Sequence, residues 1–156
     1  MSKLFHAKSD GSEDEQQEQL PLLSELGPEI EAEANRLEAM ALPQLATEIL
    51  QKAFKAEYEP GSGIMEIGGV IDVFLPPHGE FSGPVWKIPE PSEAEYRLRD
   101  LIREGVQALE HASLLMPEGY STNGNWYHAG YLTTRLARAA LADGSAERIV
   151  SAARPR

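Results

Sequence analysis

The sequence predicts a helix-rich α+β fold, because two different hydrophobic patterns occur along the chain. Apolar residues recur at three- and four-residue steps over three segments, which is typical of amphipathic helices. Shorter runs rich in β-branched and aromatic residues adjoin glycine, proline and asparagine, which indicates strands and turns. We therefore expect one globular domain over residues 23–156, with an N-terminal αα-hairpin, a short β-hairpin and a C-terminal half that combines helices with a returning strand.

Composition and charge exclude several classes of function. The chain of 156 residues has no cysteine, which rules out a thiolate nucleophile, a disulfide framework and a Cys-ligated zinc. Its net charge of −11 is uneven: residues 1–60 carry 5 basic against 13 acidic residues, whereas residues 93–156 carry 8 of each, and all eight cations there are arginine. The acidic first part repels phosphate backbones, so only the last third is compatible with nucleic acid.

The sequence lacks the signals of membrane insertion and export. No run reaches the roughly 18 apolar residues that a membrane span requires. The first residues turn polar after Phe5 and offer no apolar signal-peptide core, so we expect a cytoplasmic protein without a membrane partner. Residues 1–22 are expected to form an acidic, flexible tail, because the run GSEDEQQEQ has no periodicity and little apolar surface to bury.

The αα-hairpin is expected over residues 28–58. Its first helix carries a narrow apolar stripe that includes Ile30, Ala34 and Leu37, with Pro28 in the first turn. A second helix begins near Pro43 and has a wider apolar face. Because only two or three residues link the two patterns, we expect the helices to lie antiparallel.

Residues 64–91 are expected to hold a β-hairpin followed by a connector. Gly68-Gly69 separates two short β-rich runs, and both glycines can adopt the positive φ of a tight turn. Five prolines between residues 76 and 91 then predict an extended segment without regular structure.

The clearest element is a helix over residues 92–112. Ser92 and Glu95 form a capping-box pattern, and Leu98, Ile102 and Leu109 share one face. Gly105 on that face costs about 1 kcal/mol relative to alanine, which indicates a closely packed neighbour.

The C-terminal elements follow from turn and capping patterns. The run PEGYSTNGN predicts a turn-rich tip, and Trp126 to Leu132 predicts a returning strand. Thr133 is expected to cap a helix through Ala142 that ends at Gly144, and Ser145 to cap a short last helix over residues 145–153. An aromatic side chain such as Trp126 in a strand is expected to pack in the core.

No catalytic, metal or cofactor motif is present. The four histidines are not spaced like known metal motifs, no serine lies in a G-x-S-x-G pattern, and no glycine run matches a phosphate or dinucleotide loop. His128, in WYHAG, is the one candidate for a ligand or proton-transfer role. We therefore expect no catalytic residue, no metal and no cofactor.

One part of the chain resembles a winged helix-turn-helix domain. The matching words are LEHASLL at the end of the predicted helix, a Gly/Asn-containing gap, and GYLTTRLARAAL on the return, within residues 97–141. Ser113 and Leu136 stand where such domains commonly have glycine. The resemblance implies a winged-helix-like part over residues 92–142, in which the helix enters the major groove of DNA and the wing tip touches phosphate.

The charges on these residues disfavour DNA as the partner. Arg103 is the only cation on the polar face of the helix, which also carries four acidic residues, and Arg97 and Arg99 lie at its flanks. From Met116 to Tyr131 there is no lysine or arginine. A DNA contact would then depend on these arginines and on neutral donors such as Asn123 and Asn125.

Three functional hypotheses remain open. The first is a non-enzymatic, winged-helix-like module that acts mainly through protein contacts, either with itself as a homo-oligomer or with a partner, through amphipathic residues such as Tyr96, Trp126 and Tyr127. The second is a dimeric DNA-binding transcriptional regulator that uses Arg97, Arg99 and Arg103. The third is a small-molecule binder or an unrecognised enzyme with a pocket around His128, Trp126 and Tyr127.

Overall fold

A computed structural model describes residues 19–54 and 64–153. Six α-helices and one β-hairpin lie in these ranges: α1 (Gly27–Glu38), α2 (Leu42–Ala53), α3 (Ile67–Phe74), α4 (Glu93–His111), β1 (Leu115–Thr122), β2 (Asn125–Thr133), α5 (Arg135–Asp143) and α6 (Ala146–Ala152). Two single 3₁₀ turns occur at Leu23–Glu25 and Val85–Lys87. The predicted helix-rich α+β class is confirmed, and the strands of the described residues form one antiparallel two-stranded hairpin, β1-β2.

Helix α4 is the centre of the molecule. It contacts α1, α2, α3, β1 and α6, and its inward face buries Leu98, Ile102, Val106 and Leu109. Gly105 lies against α2, where a Cβ atom at this position would overlap Ile49 Cδ1, so the predicted close neighbour is present. Ser92 accepts a hydrogen bond from the Glu95 backbone N–H at 3.2 Å, which caps the helix as expected.

Helices α1 and α2 are consecutive and joined by a short link, and both pack on α4. Their burial follows the predicted stripes, with Ile30, Ala34 and Leu37 buried on α1 and Leu45, Ala46, Ile49 and Leu50 on α2. Helix α2 ends at Ala53. The αα-hairpin was expected to reach residue 58, and residues 55–58 lie outside the described residues.

The predicted β-hairpin at Gly68-Gly69 is wrong, because residues 67–74 form helix α3. Val70, Ile71 and Phe74 are buried at helical spacing, and together they cover the core formed by α2 and α4. The two glycines fall in the first turn of the helix, where they do not interrupt the later backbone hydrogen bonds. Tertiary burial at three- and four-residue steps therefore outweighs the local turn signal.

Of the expected tail, residues 1–22, the structure describes only residues 19–22. Residues 1–18 lie outside the described residues, but Pro21 accepts a hydrogen bond at 2.9 Å from the Gly79 backbone N–H, and Leu22 N–H donates to Glu25 Oε2 at 2.9 Å. Pro21 is thus hydrogen-bonded to the connector, and the flexibility expected for residues 1–22 stays a prediction.

The C-terminal elements match the prediction with three corrections, which concern the hairpin tip, the cap of α5 and the cap of α6. The predicted turn-rich tip is mostly strand, since β1 runs to Thr122 and only Asn123 and Gly124 form the turn. The cap of α5 is Thr134 and not Thr133: its hydroxyl accepts from Ala137 N–H at 3.2 Å. Gly144 ends α5 with φ of 73°, and Ser145 precedes α6 without a side-chain cap. No helix within the described ranges has the length and apolarity to cross a membrane.

Candidate functional site

The hairpin projects its tip into solvent through a two-residue turn. Asn123 and Gly124 have φ of 52° and 76°, the paired positive values of a type I′ turn, whose twist suits antiparallel strands. Asn125 opens β2 opposite Thr122, so both predicted asparagines lie at the exposed end of the hairpin. The turn itself explains Asn123, because asparagine tolerates positive φ better than most residues do.

Three large aromatic side chains near the hairpin tip are exposed, with Tyr120 and Tyr127 on one face and Trp126 on the opposite face, and we call them together the aromatic patch: Tyr120 (58%), Trp126 (59%) and Tyr127 (46%). Tyr120 and Tyr127 face each other in the strand register and their rings stack at 5.5 Å between centroids. Trp126 lies over Gly119, where a Cβ atom would come within 2.8 Å of Trp126 Cε2. The expectation that Trp126 packs in the core is therefore wrong.

A β-bulge determines which side chains share the hairpin face that carries Trp126. Glu118 pairs with Gly130 and Gly119 with His128, so Ala129 is an extra residue in β2. The extra residue brings His128 and Tyr131 toward the same side, with ring centroids 4.7 Å apart in an edge arrangement. Trp126 adjoins His128 at 6.1 Å.

This surface faces α4 across a shallow cleft. The cleft is lined by side chains from α3, α4 and β2: Ile67, Arg103, Val106, Gln107, Glu110, His128 and Tyr131. Burial raises the pKa of the Tyr131 hydroxyl, and the negative charge of Glu110 raises that pKa further. Backbone hydrogen bonds between Met65 and Tyr131, at 3.0 Å in both directions, hold α3 and β2 together beside the cleft.

The structure does not gather the three predicted arginines of α4 into one free cationic surface. Arg97 reaches α1, with Nη2 at 2.8 Å from Asn35 Oδ1 and Nη1 at 3.3 Å from Glu38 Oε2. Arg99 Nη2 lies 2.7 Å from Oε1 of the buried Glu95. Each guanidinium is therefore partly neutralised by its neighbour.

The two remaining α4 candidates, Arg103 and Tyr96, differ in their surroundings. Arg103 contacts Asp100 Oδ1 at 3.3 Å and also lines the cleft, so among the α4 candidates it is the one that reaches the hairpin. Tyr96 is exposed near the start of α4, at the far end of the helix from the hairpin's base. The predicted site residues thus divide between a mostly paired N-terminal part of α4 and the hairpin.

Sequence reasoning missed one exposed surface. The connector carries Val85 (79% exposed), Trp86 (84%) and Ile88 (55%) in and beside the second 3₁₀ turn. The run PVWKIP could have indicated this surface. Its two prolines predict an extended segment, and large apolar residues in such a segment have no helix or strand neighbours to cover them all.

The site has no assembled metal centre among the residues that the structure describes, where no group of three His, Asp or Glu side chains could hold an ion. Comparison of the chain with protein-family models, curated proteins and solved structures finds no match.

Proposed function

We propose that this protein is a non-enzymatic, winged-helix-like binding module that acts through protein contacts, and that the aromatic patch joins two copies of the chain. The observation that carries the proposal is the exposure of three aromatic rings near the tip of one hairpin, with Tyr120 and Tyr127 stacked on one face and Trp126 on the other. Such amphipathic side chains supply much of the binding free energy of protein interfaces. The order α4, hairpin, α5 supports the winged-helix-like description.

Local charge favours self-association at this surface. Between Met116 and Tyr131 the sequence has one carboxylate, Glu118, and no lysine or arginine, so two hairpins can meet with little repulsion although each chain carries −11. Within the described residues, the outer edge of β1 pairs with no other strand. Pro117 lacks a backbone N–H, which confines any added strand pairing to the part of β1 nearer the tip.

The proposal is tested by measuring the mass of the full chain in solution. Sedimentation equilibrium should give a dimer for the wild type and a monomer for the triple variant Tyr120→Ser, Trp126→Ser, Tyr127→Ser. Tyr96→Ser, which removes an equally exposed aromatic ring from α4, should remain dimeric. A wild-type monomer at every concentration reached, or a triple variant that stays dimeric with native circular dichroism, contradicts the proposal.

A dimeric DNA-binding transcriptional regulator is the second candidate, and the exposed amides of Asn123 and Asn125 at the wing tip favour it. Its cations would come from Arg97, Arg99 and Arg103. Salt-dependent retention of the wild type on duplex DNA, lost in the triple Arg→Ala variant, would move the assignment to this class.

A small-molecule site in the cleft beside His128 and Tyr131 is the third candidate, and a thermal-shift screen with metabolites and metals tests it. We also propose a cytoplasmic location, with which a chain without cysteine is compatible.

A further inference from the structure

The connector presents a second apolar surface that the hairpin does not explain. Every residue from Phe81 to Glu90 is exposed, and four of them, which we call the apolar arm, are large and apolar: Phe81, Val85, Trp86 and Ile88. Single exposed apolar residues are common on proteins, whereas contiguous ones mark interaction surfaces.

The apolar arm is held in a defined shape by its own backbone. Pro84 adopts φ of −64° and ψ of 147° directly before the 3₁₀ turn, and Lys87 N–H donates to Pro84 O at 2.9 Å. Ile88 N–H donates to Val85 O at 3.2 Å, and Pro89 fixes its own φ and restricts Ile88 before it to an extended conformation. A segment restricted in this way loses little conformational entropy when it binds.

Both ends of the connector are attached to the domain. Gly79 N–H donates to Pro21 O at 2.9 Å before the apolar arm, and Ser92 caps α4 after it. Ile88 borders a groove that also involves Leu22, Glu95 and Arg99. The apolar arm thus lies at the start of α4, whereas the hairpin follows the end of that helix, about 28 Å away along its axis. The two exposed surfaces are therefore separate.

Charge around the apolar arm indicates what kind of partner it fits. Between Gly79 and Tyr96, Lys87 is the single cation against four carboxylates: Glu80, Glu90, Glu93 and Glu95. Glu95 is buried and paired with Arg99, but the other three are exposed. A second copy of this chain would bring another net charge of −11, whereas a partner with cations around its pocket would be attracted.

We propose that the apolar arm is a binding segment for a different protein, one that offers an apolar pocket of indole size bordered by lysine or arginine. Trp86 is the residue that enters the pocket, since it is the largest and most exposed side chain of the apolar arm. Tryptophan is prominent among residues whose truncation weakens interfaces most. The surrounding carboxylates then meet the partner's cations at the rim.

The test begins with photo-crosslinking of the full chain, expressed in the organism that it comes from. Val85 is replaced by p-benzoylphenylalanine, the crosslinked protein is identified and purified, and its affinity for the unmodified chain is measured by calorimetry. We expect Trp86→Ala to weaken this affinity at least about tenfold, which corresponds to about 1.4 kcal/mol. The affinity should also fall as salt rises from about 50 to about 200 mM, because cations of the partner face carboxylates.

Matched variants separate this proposal from the function assigned to the hairpin. Trp126→Ala should leave the affinity for the crosslinked protein unchanged, and Trp86→Ala should leave the dimer intact in sedimentation equilibrium. Trp86→Ala should also keep the wild-type free energy of unfolding, because the indole is largely solvent-exposed.

Four results would overturn the proposal. These are the absence of any crosslinked protein, an affinity that Trp86→Ala does not change, loss of self-association in Trp86→Ala, and Trp86-dependent retention on phosphatidylcholine vesicles. The third result would identify a second copy as the occupant, and the fourth would identify a lipid surface.

Discussion

Gly105 is a single residue on which the packing of α4 against α2 depends. A Cβ atom there would overlap Ile49 Cδ1 and lie 3.4 Å from Leu45 Cγ, and both side chains are buried. Alanine would gain about 1 kcal/mol in helix propensity, but overpacking a filled core costs about 1–3 kcal/mol. We expect Gly105→Ala to lower the free energy of unfolding by about 1 kcal/mol net, measured by urea denaturation followed by circular dichroism.

Gly68→Ala is the matched control for this substitution. Nothing lies within 4 Å of the position that its Cβ would occupy, and the residue is also helical. It should leave the protein unchanged or up to about 1 kcal/mol more stable. Equal stability of the two variants would mean that Ile49 moves aside freely, contrary to the packing described.

At the residue scale, sequence reasoning succeeded where one residue type has one physical explanation. A glycine on the apolar face of a strong helix implies a close neighbour, and Gly105 has one. The prediction that Trp126 packs in the core was wrong, because strand alternation does not indicate whether another element covers a hairpin face. Trp86 was missed because the indole was considered without its neighbours, although the prolines at both ends of PVWKIP predict no regular element that could cover it.

Among the elements, the start of α5 is tied to the segment after α4 through Thr134, whose backbone N–H donates to Leu114 O at 3.1 Å. Thr134 Oγ1 donates to Ser113 O at 2.7 Å and accepts from Ala137 N–H at 3.2 Å. Thr134→Val keeps the shape but loses both hydrogen bonds, and we expect a loss of about 1–2 kcal/mol in the free energy of unfolding. Thr134→Ser retains the hydroxyl and should lose much less in the same denaturation experiment; a similar loss in both variants would contradict the role of the hydroxyl.

Helices α1 and α2 are joined by an ion-pair group around Glu48, which accepts from Arg36 Nη2 at 2.9 Å and Lys52 Nζ at 2.7 Å. Burial acts to raise the pKa of Glu48, but hydrogen bonds from Arg36 and Lys52 outweigh it, so the pKa falls below its ordinary value of 4.5. The folded state therefore gains stability from ionised Glu48 above that value and loses it as pH falls through the lowered pKa.

Glu48→Gln should make this contribution visible. We expect the variant to be less stable than the wild type at pH 7, with a difference that narrows as the pH falls below the ordinary value of 4.5. Urea denaturation at neutral and acidic pH measures both differences. A difference that stays constant with pH would show that the titration of Glu48 is not linked to folding.

At the element scale, the long helix was predictable and the short one was not. Helix α4 has a cap, a continuous apolar face and 19 residues, so local and tertiary preferences agree. Helix α3 has only eight residues and carries Gly68-Gly69 in its first turn, and its helical state depends on burying Val70, Ile71 and Phe74 against α2 and α4. That packing is invisible in the sequence of the segment alone.

For the whole molecule, the net charge of −11 should oppose the proposed dimer at low ionic strength. Because the aromatic patch itself has no ion pair to screen, added salt should mainly reduce the long-range repulsion between chains. We expect the dimer dissociation constant to fall as salt rises from about 50 to about 200 mM, by sedimentation equilibrium. A dissociation constant that rises with salt would mean that ion pairs hold the dimer.

The arrangement of the predicted site was the part that sequence could not supply. The pairing of Arg97 with α1 joins residues far apart in the chain, and it neutralises a cation that the sequence presents as free. The contact of Arg103 with the cleft likewise depends on the bulge that turns His128 and Tyr131 toward α4. Fold class follows from local patterns, whereas a site of this kind follows from which elements meet.

The exposure of both indoles has a spectroscopic consequence. The chain has two tryptophans, and Trp86 and Trp126 both lie at the surface. Their emission in the native protein should already be red-shifted and readily quenched by acrylamide, so unfolding will change it little. The same property makes each indole a reporter of docking, because a blue shift in a single-tryptophan variant will reveal which of the two surfaces has become covered.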